Sequence, residues 1–234
     1  LFDREGRWLD TFDFSDLQVP EGVRLVLAHR LERLTDKTHQ LLQQAALMGR
    51  SFRFELLEKL VDQNSDPDFV LEVLEEAEEA GLVSSRNADG GVEFSFCHAL
   101  IGQTLVEEIS LLRRRRWHLK IAEVIDRHFI DSNPEMAGQL AHHLAGAGSL
   151  ADFEKRIEAT VKAAEQALGR TAFEESIRLY TQALQDVSHA DRRHAELLFK
   201  KGVALTGLGE WKKAQEVWHE ALPLFEEEGN FDQV

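Results

Sequence analysis

Two stretches in the C-terminal third of the chain match each other at an offset of 38 residues, and this repeat limits the possible folds more than any other feature. In each copy a small residue is followed 12 positions later by another, then by an aromatic residue and a third small residue. The matched residues are Ala164, Ser176, Tyr180 and Ala183 in the first copy, and Gly202, Ala214, Trp218 and Ala221 in the second. Small residues let two helices cross closely, and an aromatic side chain fills the gap beside them. The pattern predicts two helical hairpins that stack on each other.

This pattern resembles the tetratricopeptide repeat, which places small and aromatic residues at these spacings. The family period is about 34 residues, and the segment Ser188 to Asp191 can supply the four extra residues as a longer loop. The proline that closes the second helix in the family is absent from both copies, although Pro223 lies near that place in the second. The alternative is an unspecialised helical bundle in which the small residues coincide by chance.

Binding through such repeats is the function that the resemblance implies. Tetratricopeptide hairpins curve so that residues of the first helices line a concave groove. By repeat position, the predicted partner-binding residues are Glu158, Val161, Glu165, Phe199, Val203 and Thr206. We expect a groove that mixes acidic side chains with apolar patches and binds a protein or a small-molecule inducer.

The region before the repeats changes its period from helical to alternating. Apolar residues at helical spacing predict four helices, the first from Pro20 to about Leu34 and the last opened by Asp66-Pro67 and ended by Gly81. Between them, Thr35 is a candidate N-cap for a helix that stops at Gly49, and a short helix covers about 54–61. Residues 82–86 and 92–96 then alternate around a turn at 87–91, which predicts a β-hairpin. Helices followed by a hairpin are the winged-helix order.

The predicted fold is therefore mainly α, a winged-helix-like domain with a small β-hairpin followed by a tetratricopeptide-like solenoid. We assign residues 1–18 to the tail of an upstream domain or a lead-in, and residues 19–112 to the winged-helix-like domain. Residues 113–150 form a connecting helical hairpin, and residues 151–234 form the repeats, which we expect to be truncated. The chain begins with Leu1 rather than Met, so we expect a piece of a longer protein.

Charge argues against nucleic acid as a partner. The chain has 42 Asp and Glu against 27 Lys and Arg, a formal charge of -15, and an acidic surface repels phosphate backbones. The helix before the hairpin would enter the major groove in a DNA-binding winged helix. That helix has no Lys or Arg and carries seven acids, namely Asp66, Asp68, Glu72, Glu75, Glu76, Glu78 and Glu79. DNA binding is therefore less favoured than binding at the repeats.

The sequence contains no catalytic or metal-binding motif. Neither a phosphate loop, a His-Glu-x-x-His nor a Gly-x-Ser-x-Gly sequence occurs. The adjacent His142 and His143 point about 100° apart on a helix, so they do not form a ligand pair. We expect no metal, no cofactor and no enzymatic activity in this chain itself. The single cysteine, Cys97, and the absence of an export or membrane-spanning segment predict a cytoplasmic location without a membrane partner.

Several segments in order resemble the region after the nucleotide-binding module of STAND-class signalling ATPases, a class that includes bacterial regulators. They are Val19 to Arg24, Arg30 to Leu34, Ala45 to Gly49 and Phe94 to Leu100. The resemblance implies an upstream ATPase module that switches between ADP and ATP, with repeats that sense an inducer or partner. It also implies an output such as transcriptional control or a linked signalling enzyme. ATP or ADP would then belong to the parent protein.

The resemblance also singles out His98. Relatives carry a Met-His-Asp triplet whose histidine reaches the diphosphate of ADP, and Cys97-His98-Ala99 occupies the comparable place. His98 is therefore a candidate nucleotide contact in the parent, although Ala99 lacks the carboxylate of the triplet. The alternative is a histidine that fixes the junction between wing and helix by hydrogen bonding.

The four consecutive arginines Arg113, Arg114, Arg115 and Arg116 form a basic cluster. On a helix they would spread over more than half of the circumference. We interpret them as a docking surface for an acidic neighbour or as a solvated helix start. Together these features predict a regulatory chain that relays binding at the repeats to a nucleotide switch. The alternative is a plain tetratricopeptide scaffold without a switch.

Overall fold

A computed structural model describes residues 29–61, 68–88, 91–131, 133–189 and 191–228 of the chain. The predicted lead-in, the start of the predicted first helix and the predicted helix start at Asp66-Pro67 lie outside these residues. The elements in chain order are α1 (Asp36–Met48), β1 (Ser51–Arg53), α2 (Phe54–Leu60), α3 (Phe69–Glu79), β2 (Val83–Ala88), β3 (Gly91–Phe96), α4 (Ala99–Glu107), α5 (Leu111–His128), α6 (Ala137–Ala147), α7 (Phe153–Gly169), α8 (Phe173–Asp186), α9 (Arg193–Gly207) and α10 (Trp211–Glu228). The architecture is mainly α with a small sheet and a stack of tetratricopeptide-like helical hairpins.

Helix α1 begins and ends where the sequence predicts. The Thr35 side chain accepts a hydrogen bond from the Thr38 backbone N at 3.2 Å, which satisfies one of the free amides of the first turn. The helix stops at Gly49, whose φ of 124° is easily adopted only by glycine. Leu41 and Leu42 on its inner face are fully buried, so the cap and the apolar stripe act together.

The predicted hairpin is present, and it belongs to a three-stranded antiparallel sheet in the order β1-β3-β2. Pairing runs from Val83 opposite Phe96 to Ala88 opposite Gly91, so the strands extend further into the predicted turn. The sequence analysis missed β1, whose Phe52 stacks on Phe94 with 6.0 Å between ring centroids. A strand of three residues is too short to show an alternating pattern.

After α4, which follows the sheet, helices α5 and α6 lead to the repeats. Helix α5 begins at Leu111, so the four arginines lie inside its first turns rather than before it. Helix α6 packs on α5, and Gly146 makes the close approach possible, because a β-carbon there would lie 2.7 Å from the His118 ring. Gly148, whose positive φ of 59° favours glycine, then ends α6.

The repeat pattern forms two antiparallel hairpins, α7 with α8 and α9 with α10, as the sequence predicts. In the first, the Ser176 hydroxyl donates to the Ala164 carbonyl at 3.0 Å across the helix crossing, and Tyr180 is fully buried beside them. In the second, the Trp218 ring occupies the space that a β-carbon on Gly202 would need. Pro223 lies within α10 and does not end it.

The apolar core is divided unevenly along the chain. One cluster of buried side chains extends from Leu31 to Leu197 and includes the sheet, the connecting helices and the first hairpin. The second hairpin has a small cluster of its own, formed by Ala195, Leu198, Ala221 and Phe225. Among the described residues no helix is both long and apolar enough to cross a membrane.

Candidate functional site

The first helices of the two hairpins, α7 and α9, form the walls of an open groove of about 460 Å³. Three acidic, three basic and three apolar residues line it: Glu158, Glu165 and Glu196, Lys162, Arg193 and Lys200, and Ile157, Val161 and Leu197. The sequence predicted acids and apolar patches here. The basic side chains were missed, so the groove is close to neutral rather than acidic.

Lys200 is paired with two carboxylates in this groove. Its ammonium group lies 2.6 Å from a Glu165 carboxylate oxygen and 2.8 Å from one of Glu196. Burial alone would lower the pKa of Lys200, but the hydrogen bonds to both carboxylates outweigh burial and raise it. Lys200 therefore stays charged and ties α9 to α7.

Arg193 closes one end of the same groove. Its guanidinium group contacts Glu154 of α7 at 2.6 Å and Asp191 of the preceding loop at 2.7 Å. Hydrogen bonds from Arg193 lower the pKa of Asp191 to about 2. The loop before α9, helix α7 and helix α9 are thus joined by charge-assisted hydrogen bonds.

The structure brings together only half of the predicted partner-binding residues. Glu158, Val161 and Glu165 line the groove, whereas Phe199, Val203 and Thr206 do not. The reason is repeat geometry. By the offset of 38, Phe199 and Val203 correspond to Val161 and Glu165, which face the next helix of the stack. Residues of α9 that face back toward α7 belong to another row, the one with Arg193 and Lys200.

Phe199 lies instead in an apolar depression on the second hairpin. Its ring centroid is 6.3 Å from Trp218 and 6.5 Å from Phe225, and the Trp218 indole N–H donates to the Phe199 carbonyl at 3.1 Å. Leu222 at the rim is 36% exposed. At the corresponding place on the first hairpin, α9 covers Tyr180 and Ala183 completely.

His98 is the N-cap residue of α4, and its side chain is exposed. Its Nδ1 accepts a hydrogen bond from the Leu100 backbone N at 3.2 Å. A neutral imidazole whose Nδ1 accepts carries its proton on Nε2. The histidine therefore both caps the helix and has an Nε2–H donor. The junction hydrogen bond that the sequence offered as an alternative is present.

The four arginines of α5 have different surroundings. Arg114 donates to the Val106 carbonyl at 2.7 Å, and the Arg113 guanidinium lies 5.8 Å from the centre of the Trp117 ring. Arg115 lies beside Gly148, and Arg116 is exposed. They spread around the helix, as expected for consecutive helical residues. Their role as a docking surface stays a prediction.

Two histidines form a buried pair that the sequence analysis did not identify. Nδ1 of His118 on α5 lies 2.9 Å from Nδ1 of His143 on α6, so one ring donates and the other accepts. Burial, followed by the charge of neighbouring His142, lowers the pKa of His118 to about 4. Burial and the neighbouring histidines lower the pKa of His143 to about 3. Both rings are neutral near pH 7 and hold the two helices together through this hydrogen bond.

Comparison with known proteins gives one distant likeness. No family model and no curated protein matches the chain. A solved structure of a Signal Transduction ATPase with Numerous Domains (STAND) protein with a tetratricopeptide repeat sensor, from Pyrococcus horikoshii, is similar at 16% identity and a TM-score of 0.35. The match covers 95% of this chain and 35% of that one, so this chain spans about a third of that protein's length. At this TM-score the likeness does not assign the chain to that family.

Proposed function

We propose that this chain is the regulatory and protein-interaction portion of a multidomain signalling ATPase of the STAND class. Its repeats bind a protein partner or a small-molecule inducer, and the chain relays that binding to an upstream nucleotide switch. The observation that carries the proposal is the single apolar core that joins the sheet and its helices to the first repeat hairpin.

This core makes the first hairpin and the winged-helix-like domain one mechanical body. Polar contacts reinforce the connection, since Lys155 of α7 lies 2.5 Å from Asp126 of α5, and Arg156 of α7 donates to the Gly148 carbonyl at 3.2 Å. Close-packed interiors move as rigid bodies rather than deforming gradually. A partner that displaces the first hairpin therefore displaces His98 as well.

His98 supplies a suitable contact for the switch. Its exposed ring carries a proton on Nε2, and such a donor beside a helix N-terminus can bind a phosphate oxygen. In the proposed mechanism the wing closes over ADP through His98, and partner binding at the repeats favours release of ADP. This part of the proposal rests on the resemblance of Cys97-His98-Ala99 to the Met-His-Asp triplet.

The test separates the two roles of His98 by using two substitutions in a longer protein that includes the upstream module. His98→Ala removes both the cap and the donor, whereas His98→Asp keeps a good N-cap acceptor and places a negative charge near the phosphates. Calorimetric titration with ADP should show affinity lowered about tenfold or more in both variants. The exposed His128→Ala should not change it.

A cap role alone predicts a different result. His98→Ala would lower stability by about 1 kcal/mol, and His98→Asp would restore both stability and ADP affinity. ADP affinity that is the same in all variants would reject the switch and favour the plain scaffold. The observation in favour of the scaffold is that the hydrogen bond from Leu100 already accounts for His98 as a helix cap.

DNA binding by the wing has little physical support. In α3, Glu76 accepts from the Thr35 backbone N at 3.0 Å and Glu78 accepts from the Ser85 backbone N at 2.9 Å, so both carboxylates hold local structure. Glu72, Glu75 and Glu79 are exposed and would face phosphates. Salt-sensitive binding of random duplex DNA by this chain would overturn the charge argument.

A further inference from the structure

Three potential metal ligands meet at the junction between the two hairpins. His189 lies in the loop after α8, His194 lies in the first turn of α9, and Glu220 lies on α10. One ligand atom from each residue lies within 4.8 Å of the others, and the two imidazole centroids are 4.3 Å apart. His189 and His194 are separated by four residues, a spacing that zinc ligands can have, but only the fold brings the distant Glu220 beside them.

The buried member of this group has an unsatisfied nitrogen. His194 is 4% exposed, and its Nδ1 is buried without a hydrogen-bond partner in the part of the chain that the structure describes. A buried polar atom without a partner costs about 1–3 kcal/mol. The His194 backbone N donates to the Asp191 carbonyl at 2.8 Å, which fixes the start of the helix that carries the ring. A cation that this ring ligates would give the histidine an additional polar partner.

We propose that His189, His194 and Glu220 bind one divalent transition-metal ion of the zinc class. Two imidazoles and one carboxylate are a donor set that Zn²⁺ accepts, with a fourth position for water or a partner side chain. Zinc bonds of about 2.0–2.2 Å place tetrahedral ligand atoms about 3.3 Å apart, so the present cluster must contract by at most roughly 1.5 Å. His189 and Glu220 are exposed and can make this adjustment, whereas His194 is held in place.

The charges around the site favour a cation. Arg193, the nearest basic side chain in sequence, is occupied by Asp191 and Glu154. The chain as a whole carries a formal charge of -15, which raises the local concentration of divalent cations. This proposal differs from the expectation of no metal in the sequence analysis, which rested on the absence of metal-binding motifs along the chain.

Metal binding here would stiffen the repeat junction. His189 belongs to the loop that leaves α8, whereas His194 and Glu220 belong to the second hairpin, which has a small core of its own. A bound ion ties the loop that leaves α8 to α10 and so fixes the angle between the hairpins. The site would make the shape of the repeat surface depend on a metal.

Calorimetric titration of the 234-residue chain with Zn²⁺ at pH 7.5 tests the site. The wild-type chain should bind one equivalent at this site, and His189→Ala and Glu220→Gln should each weaken that binding about tenfold or more, with the double variant losing it. His219→Ala is the matched control, because His219 is exposed and adjacent to Glu220 but points about 100° away on the same helix. It should leave the affinity unchanged.

Thermal unfolding provides the second readout. Zn²⁺ should raise the Tm of the wild-type and His219→Ala chains and leave the double variant unchanged. Equal Tm values without metal would show that the exposed substitutions have not damaged the fold. Zinc binding that persists undiminished in the double variant, or that falls equally in His219→Ala, would mean adventitious binding by surface histidines and would overturn the proposal.

Discussion

The two repeat hairpins share one sequence pattern but differ in what covers them. The first has α6 on one side and α9 on the other, and Ala164, Ser176 and Tyr180 are all completely buried. Among residues 29–228 that the structure describes, the second is covered by α8 on one side, and its Trp218 is half-buried. The repeat pattern thus determines how two helices pack within a hairpin, whereas stacked neighbours determine how stable that hairpin is.

Lowering the pH should produce the largest difference in stability between the two regions, because the buried histidine pair lies on the side of the first hairpin. The pKa values of His118 and His143 are lowered to about 4 and about 3, below their usual value. The unfolded chain therefore takes up protons first as the pH falls below about 6.5, and each histidine costs up to about 1.4 kcal/mol of stability per pH unit. The loss grows until the pH reaches the folded pKa values.

Tryptophan fluorescence, to which Trp117 beside His118 contributes, can follow this transition during urea unfolding at several pH values. The double variant His118→Leu/His143→Leu should lose a large part of the pH dependence between pH 6.5 and 4. His142→Ala, at an exposed neighbour, should retain most of it, because burial is the larger cause of both lowered pKa values. A pH profile that is the same for the double variant and the wild type would contradict the role of the pair.

Removing the aromatic side chain of the repeat pattern, Tyr180 or Trp218, should lower stability by different amounts in the two hairpins. Tyr180→Ala leaves a large cavity in the shared core and should cost about 4 kcal/mol of unfolding free energy. Trp218→Ala removes a half-buried side chain at the partly open end and should cost about 2 kcal/mol. Urea denaturation followed by circular dichroism measures both values. Equal losses would contradict the claim that the two hairpins differ in how well they are covered.

Tyr180→Phe is the control for this experiment. The Tyr180 hydroxyl is buried and makes no hydrogen bond to the described residues, and burial raises its pKa to about 12. Removing only the hydroxyl should leave stability unchanged or raise it slightly, since no hydrogen bond is lost. A loss as large as that of Tyr180→Ala would mean that the hydroxyl has a partner.

A smaller effect tests the close approach within the second hairpin. Gly202→Ala places a methyl group where the Trp218 indole ring now lies, so the ring must shift at a cost of about 1–2 kcal/mol. Gly169→Ala near the end of α7 meets no atom within 4 Å. It should stabilise the chain by up to about 1 kcal/mol through better helix propensity. Thermal melts of the two variants should shift in opposite directions.

Much of this fold could be predicted because its signals are local. The Thr35 cap, the Gly49 stop and the small residues of the hairpins each act within one helix or one crossing. The groove could be predicted only in part. Its three basic residues depend on which rows of α7 and α9 face each other, and a helical period does not reveal that.

The histidine clusters also could not be predicted from the helical period of the sequence. His118 and His143 meet across two helices, and His189, His194 and Glu220 meet across three segments. The chemistry of the His118–His143 pair depends on burial and on the close approach that Gly146 permits. Val203 and Thr206 were assigned to the groove because first-helix positions were treated as one surface. On α9, the residues that face the preceding hairpin and the residues that face away from it in fact form two different rows.

Native-state hydrogen exchange tests most directly whether the winged-helix-like domain and the first hairpin unfold as one unit while the second hairpin opens separately. The shared core predicts that amides of α1, α5 and α7 exchange with one common, highest free energy of opening, and that amides of α10 exchange at a distinctly lower one. If α7 and α8 instead opened together with α9 and α10, independently of α5, the first hairpin would belong to the repeats alone and could not transmit their motion to His98.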